Sequence, residues 1–180
     1  PLRWLSPEWI DMLKAAFDEA KRLGMTCDLI VGSGWPFGAE YLEGDERGQV
    51  MVVAVKKLEG PATVVYSPFE LFLEADPQVN NPYPGRTMEL VSLQLVPDPL
   101  DDLAQITDLS EQKDLDRITV EVPAGSHALY ALVKVHGFMQ VINGVPGANG
   151  PTLNHFNAQA VRKYLTRMSG CLLITSLDVS

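Results

Sequence analysis

The stretch Cys27-Asp28-Leu29-Ile30-Val31-Gly32-Ser33-Gly34-Trp35-Pro36-Phe37-Gly38 decides how the rest of the chain is read. Its apolar run enters a turn made of Gly32, Ser33 and Gly34, which then presents Trp35 and Phe37 around a proline. Glycine lets backbone come close to a ligand, and loops carried on a rigid scaffold hold much of protein function. The same residues also suit a tight turn whose Trp and Phe cap a core, and both readings stand at this point.

Upstream, Ser6-Pro7-Glu8 has the form of a helix start. Ser6 is a capping residue, Pro7 suits the first helical position, and Glu8 sets negative charge at the positive end of the dipole. Ile10, Leu13, Phe17 and Ala20 recur at three- and four-residue steps, which predicts one buried face. Lys14, Asp18 and Arg22 lie four apart on the other side and are expected to pair along it. Gly24 is expected to close the helix in the left-handed conformation. Met25 to Val31 shows little alternation, which predicts a strand buried on both faces. Helix, short turn, buried strand and glycine-rich loop make one step of a parallel α/β architecture. In such folds ligands sit beyond the carboxyl ends of the strands, where Gly32 to Gly38 falls.

Composition bounds the class. A chain of 180 residues suffices for a sizeable core, and 46% apolar with 21% charged residues is ordinary for a globular protein. A net charge of −9 opposes nucleic-acid binding, which needs a basic footprint. No apolar run reaches the length of a membrane span, and the first residues lack the pattern of a secretory signal. Cys27 and Cys171 have no metal-binding spacing and are expected to be two buried, inert thiols.

The texture changes after Gly48. Val50 to Lys56 and Ala62 to Tyr66 read as two strands joined by a turn at Glu59-Gly60-Pro61. Pro68 to Leu73 reads as a helical turn, Asp76 to Arg86 as loop, and Met88 to Val96 as a long strand. Leu103 to Thr107, Arg117 to Val122 and Ala128 to Val135 are three more strand candidates, the last two linked through Val122-Pro123-Ala124-Gly125. The acidic run Asp98-Pro99-Leu100-Asp101-Asp102 offers carboxylate oxygens to a calcium ion, but its spacing does not fit an EF-hand loop and it reads first as a solvated turn. Asn143 to Pro151 is a long loop, and Asn157 is the expected cap of a helix with Val161, Tyr164, Leu165 and Met168 buried. Gly170 is expected to end that helix and Cys171 to Ile174 to form a strand. The resulting fold class is α/β with a β-rich insertion: residues 1–48, an insertion over 49–140, and a return over 141–180. Both ends of the chain read as cuts through a larger fold.

Leu5-Ser6-Pro7-Glu8-Trp9, Glu19-Ala20-Lys21-Arg22-Leu23-Gly24-Met25 and Gly32-Ser33-Gly34-Trp35-Pro36-Phe37-Gly38 together resemble glycoside hydrolase family 106, the α-L-rhamnosidases and their relatives. The pattern continues at Met51-Val52-Val53 and Leu58-Glu59-Gly60-Pro61, and returns at Asn154-His155-Phe156-Asn157 with Ala160-Val161 and Tyr164-Leu165. It thins out between about residues 67 and 120. The chain departs from it at Asn154, where the family often has Asp, at Ala39-Glu40, and after Cys171.

The resemblance implies that residues 1–48 and 141–180 are a partial (β/α)8 TIM-barrel segment of a longer parent. It implies an inverting O-glycosyl hydrolase, which uses two carboxyl groups about 6.5–9.5 Å apart. The family's catalytic glutamates are expected beyond Ser180, so the catalytic residues are unknown; no metal or cofactor is assigned within the chain, and the resemblance allows a calcium ion in the full-length parent. Glu40, Glu43, Asp45 and Glu46 are the acids nearest the aromatic loop, and the run from Glu43 to Arg47 reads as a solvated face.

The expected contribution is substrate binding by Ser33, Gly34, Trp35, Phe37, Asn154 and His155. Sugars offer an apolar C–H face to aromatics and hydroxyls to donors and acceptors. His155 suits either a sugar contact or a structural hydrogen bond near the helix start. His127 and His136 are expected to be structural. The implied partner is a carbohydrate, a rhamnose-containing glycan or a relative, with no nucleic acid and no membrane. The parent is expected in the periplasm or outside the cell, and the isolated chain is expected to be inactive. A non-catalytic carbohydrate-binding or structural β-rich module is the alternative, as is self-association through exposed barrel edges.

Overall fold

A computed structural model describes residues 1–30, 32 and 34–173. The chain is mixed α and β, with a four-stranded antiparallel sheet and, among the described residues, three α-helices. It divides into two compact units, Pro1–Gly48 with Met139–Ser180, and Gln49–Phe138.

The Gln49–Phe138 unit is built on β1 (Gln49–Tyr66), β2 (Thr87–Pro97), β3 (Thr107–Asp108) and β4 (Ile118–His136), in the order β1-β4-β2-β3. Alternation sets the faces: Val52, Ala54 and Leu58 of β1 point into the core with Val120, Leu129, Ala131, Val133 and Val135 of β4. Helix α2 (Pro68–Ala75) completes that core with Leu71 and Ala75. Each fully buried Leu or Val of this kind contributes about 1.5–3 kcal/mol. Ser67 caps α2 in a reciprocal arrangement with Glu70, each side chain serving the other's backbone N–H.

The two-strand reading of this region needs correcting. Residues 50–56 and 62–66 are one strand, and so are 117–122 and 128–135, apart from the terminal residue Arg117. Pro61 and Pro123 lie near each other across the β1–β4 pair, and neither has an N–H to give. The register moves from Gly60↔Gly125 to Ala62↔Val122, so a bulge absorbs both prolines and the strands run on. Leu103 to Thr107 is also corrected: Leu103–Gln105 is a 3-10 turn capped by the Asp102 carboxylate, and only Thr107–Asp108 pairs with β2.

In the other unit, α1 (Pro7–Arg22) follows its sequence closely. Ser6 accepts from the Trp9 N–H, Ile10 and Ala20 are buried, and Leu13 and Phe17 are half-buried. Gly24, at φ 68°, closes it: Met25 N–H donates to Ala20 O and Gly24 N–H to Lys21 O. Arg22, however, pairs with Glu19 at 2.6 Å, one turn back, rather than along the Lys14–Asp18 row.

The strand expected over Met25 to Val31 does not form over residues 25–30, while Val31 lies outside the described residues. A strand needs a ladder partner, and no described strand runs beside it; Met25 and Ile30 are exposed. Cys27 is exposed and Cys171 half-buried, so neither is the buried thiol expected.

Helix α3 (Ala158–Leu173) begins as predicted, with Asn157 Oδ1 accepting from the N–H groups of Gln159 and Ala160. Ala160, Tyr164 and Met168 are buried and Val161 is half-buried, while Leu165 is exposed. The helix passes through Gly170 to Leu173, which replaces the expected strand over its first three residues; Ile174 lies outside the described residues. A glycine inside a helix costs only about 1 kcal/mol relative to alanine, too little to stop it alone.

Candidate functional site

The loop after residue 30 is anchored backbone to backbone. Trp35 pairs with Ile142, Gly38 with Thr152, and Arg47 with Leu153 as isolated antiparallel bridges. Ile142 N–H donates to Trp35 O at 2.9 Å and Leu153 N–H to Phe37 O at 2.8 Å. Gly38 permits this approach, since a Cβ there would stand 2.3 Å from Pro151 O. The Trp-Pro-Phe segment is thus held at both ends by the loop that precedes α3.

On that frame the aromatics form a shelf. Trp35 is 71% exposed, and its ring meets Phe37 edge-on at 6.1 Å between centroids. Phe37, half-buried, meets His155 edge-on at 6.5 Å. His155 is exposed, and Phe156 beside it in sequence is fully exposed. Edge-to-face contacts of this kind hold the rings at fixed angles, and most of the Trp35 side chain stays open to solvent.

Of the residues singled out for substrate binding, the structure brings Trp35, Phe37 and His155 together. Gly34 lies against the loop beyond Ile142; a Cβ there would meet Val141 Cγ1 at 2.6 Å. Asn154 faces a structural task. Its Nδ2 donates to Asp45 O at 3.0 Å, and its Oδ1 accepts from Phe156 N–H at 3.1 Å. Ser33 lies outside the described residues. His127 Nδ1 lies 3.2 Å from Gly125 O, and the buried His136 has its Nε2 3.7 Å from Glu89.

The acids near the loop are held by other groups. Glu40 accepts from Gly147 N–H at 2.7 Å and from Arg3 at 2.7 Å. The Gly147 bond, with help from Arg3 and against partial burial, holds its carboxyl below the ordinary value. Glu46 accepts from Lys163 at 2.7 Å and from Glu43 N–H at 3.1 Å. Burial works against ionisation there, but Lys163 and the Glu43 N–H outweigh it and the carboxyl sits below its ordinary value. Carboxylates pinned in this way fix the loops around the shelf.

Beneath the shelf lies an aromatic cluster that sequence reading did not assemble. Trp4 and Tyr164 rings lie 6.0 Å apart, and Tyr41 stacks on Tyr164 at 6.4 Å. The Arg167 guanidinium covers the Tyr41 ring at 4.2 Å. Tyr164 is 1% exposed, and its hydroxyl would stand 3.2 Å from a Cβ on Gly32. Trp4 Nε1, Tyr41 Oη and Tyr164 Oη are buried with no hydrogen-bond partner among the described residues. Burial pushes the Tyr164 hydroxyl up to about 12 and the Tyr41 hydroxyl further. The helical stripe through Tyr164 was legible; its stacking with Trp4 and Tyr41 joins segments far apart in the chain.

Among the described residues, no three His, Cys, Asp or Glu side chains converge as a cation site would. Nor is any described helix long and apolar enough to cross a membrane. No family model matches the chain, and neither does any curated protein or solved structure.

Proposed function

We propose that this chain is part of a glycoside hydrolase resembling the α-L-rhamnosidases of family 106, and that it contributes a sugar-binding loop to an inverting site. The observation that carries the reading is the open Trp35 ring, braced edge-on by Phe37, which is braced in turn by His155. A pyranose lays its C–H face on such a ring, while an imidazole beside it serves as donor or acceptor for a hydroxyl. Trp35 and His155 thus bind and orient; neither is given a step in bond cleavage. The unit containing residues 1–48 is read as part of a (β/α)8 barrel, with this loop on its active-site face. The parent works in the periplasm or outside the cell on a rhamnose-containing or related glycan.

The carboxylates nearest the aromatic loop support a binding role rather than a catalytic one. Glu40 and Glu46 are tied to Arg3, Gly147 and Lys163, so neither is poised as the raised-pKa acid that glycoside cleavage needs. The chain alone is therefore expected to leave aryl α-L-rhamnosides intact. Calcium is given no role on these residues.

The test is titration of the protein with L-rhamnose and methyl α-L-rhamnoside, followed by NMR. Trp35→Ala is expected to weaken binding about tenfold, since an aromatic contact contributes about 0.5–1.5 kcal/mol beyond its area. Binding unchanged by Trp35→Ala sinks the reading, as does turnover that Glu40→Gln or Glu43→Gln abolishes. A carbohydrate-binding role for the β-rich unit is the second reading. Tyr130 favours it, since its ring stands half-open on the solvent side of the sheet, paired with the exposed Val55. Loss of binding in Tyr130→Ala, with Trp35→Ala silent, selects that reading.

A further inference from the structure

Two Asn-Gly pairs, Asn143-Gly144 and Asn149-Gly150, lie in the loop that holds the aromatic shelf. Asn-Gly is the dipeptide most open to spontaneous ring closure, because glycine puts no side chain beside the attacking nitrogen. Sequence alone treats the two pairs as equals. Their surroundings separate them.

Asn143 is exposed, at φ 55°, and Gly144 is half-buried. No described hydrogen bond engages the Gly144 N–H or the Gly150 N–H, so the attacking nitrogens are alike and the difference lies in what surrounds them. Asn149 is exposed too, but its N–H donates to Val145 O at 3.0 Å, and Gly150 is buried. Gly150 O accepts from Val141 N–H at 2.8 Å, and a Cβ on Gly150 would stand 2.9 Å from the backbone of Ala39 and Glu40. Cyclisation turns the peptide plane between the two residues. At Asn143 that rotation breaks no described hydrogen bond, though the half-buried Gly144 lies against Asn149, whose Cα would stand 2.9 Å from a Cβ there. At Asn149 it must lift Gly150 out of its packing and strain the bonds on either side of that peptide, from Asn149 N–H to Val145 O and from Val141 N–H to Gly150 O.

We propose that Asn143 is a self-modification site of this protein, converting to aspartate and isoaspartate while Asn149 is protected by the fold. The Gly144 nitrogen, losing its proton, attacks Asn143 Cγ. The new N–C bond forms as the Cγ–NH2 bond breaks, and the amide leaves as ammonia carrying that proton. Water then opens the five-membered imide at either carbonyl, giving aspartate or isoaspartate; no oxidant or cofactor takes part. The isoaspartyl product routes the backbone through the side-chain carbon and lengthens it by a methylene. That change falls one residue from Ile142, whose N–H holds Trp35 O, and at Gly144, whose Cα would stand 3.6 Å from a Cβ on Gly34. The modification thus alters the support of Trp35, whatever ligand that ring takes.

The experiment is incubation of the folded protein at mildly alkaline pH, then digestion and mass spectrometry with isoaspartate detection at both positions. Each 1.4 kcal/mol of local opening slows a reaction about tenfold, so position 143 is expected to convert at least about tenfold faster than 149. In concentrated urea the two rates are expected to converge. Asn143→Gly, which keeps a residue at ease with positive φ, is expected to remove the fast ammonia release. Equal rates at the two positions in the folded protein overturn the proposal. So does a folded protein inert at 143 whose unfolded chain converts at both.

Discussion

Replacing Tyr164 with Phe removes one oxygen and leaves the ring between Trp4 and Tyr41. That oxygen is buried without a hydrogen-bond partner among the described residues. A hydroxyl taken from water and left unpaired costs about 1–3 kcal/mol, so its deletion relieves part of that cost. Tyr164→Phe is expected to stabilise the unit by about 1 kcal/mol. Tyr164→Ala empties the centre of the cluster and is expected to cost about 3–5 kcal/mol. The assay is favourable: Trp4, Trp9 and Trp35 are the chain's three tryptophans, and all lie in the Pro1–Gly48 segment. Urea unfolding followed by tryptophan emission therefore reports the unit that holds Tyr164. A gain of 1 kcal/mol moves the midpoint upward by about 0.3–1 M. If Tyr164→Phe instead loses more than about 1 kcal/mol, the hydroxyl has a partner and the account of this cluster is wrong.

The same hydroxyl sets an alkaline limit. Its folded-state value is raised to about 12 from an ordinary 10.0, so no ionisation penalty weighs on the fold below pH 10, and stability is lost as pH climbs from 10 towards 12. Tyrosine emission and circular dichroism should show loosening across that window, shallower in Tyr164→Phe, with Tyr41 supplying the remainder. Acid acts in the opposite sense: Glu40 and Glu46 sit below their ordinary 4.5, so the stability they add is complete above it and declines as pH falls further. Glu40→Gln and Glu46→Gln should flatten that acid limb in urea melts, and an unchanged limb would remove both from the account. In the sheet, Gly60→Ala places a Cβ 1.8 Å from Pro123 O, a backbone atom that cannot step aside. Loss of more than about 3 kcal/mol is expected by far-UV melting, and a tolerated alanine would refute the described bulge.

Local signals were legible where they are complete within one turn of chain. Ser6, Pro7 and Glu8 specify the start of α1 without reference to anything else, and Asn157 does the same for α3. The largely β-branched apolar run Val50 to Val55 likewise marks β1, because such side chains suit a pleated strand. Signals whose meaning depends on a partner misled. Gly-Pro at 60–61 and Pro-Ala-Gly at 123–125 have the composition of turns. They face each other where the register shifts, so the two irregularities fit one bulge in a continuous pair of strands. Residues 25–30 have a strand's composition and no described strand to complete the ladder.

The candidate site divides along the same line. Trp35 and Phe37 were visible because a glycine-rich turn holding two aromatics is a local pattern. That His155 closes the shelf while Asn154, its neighbour, turns away to Asp45 follows from the bridges at Gly38 and Arg47. Those bridges fix which face of the 152–156 segment meets Phe37, and a one-residue slip would exchange the two side chains. Gly38 therefore controls the shelf without touching a ligand. A side chain there would push Pro151 and Thr152 away and carry His155 off Phe37, so the glycine's role is to set a register.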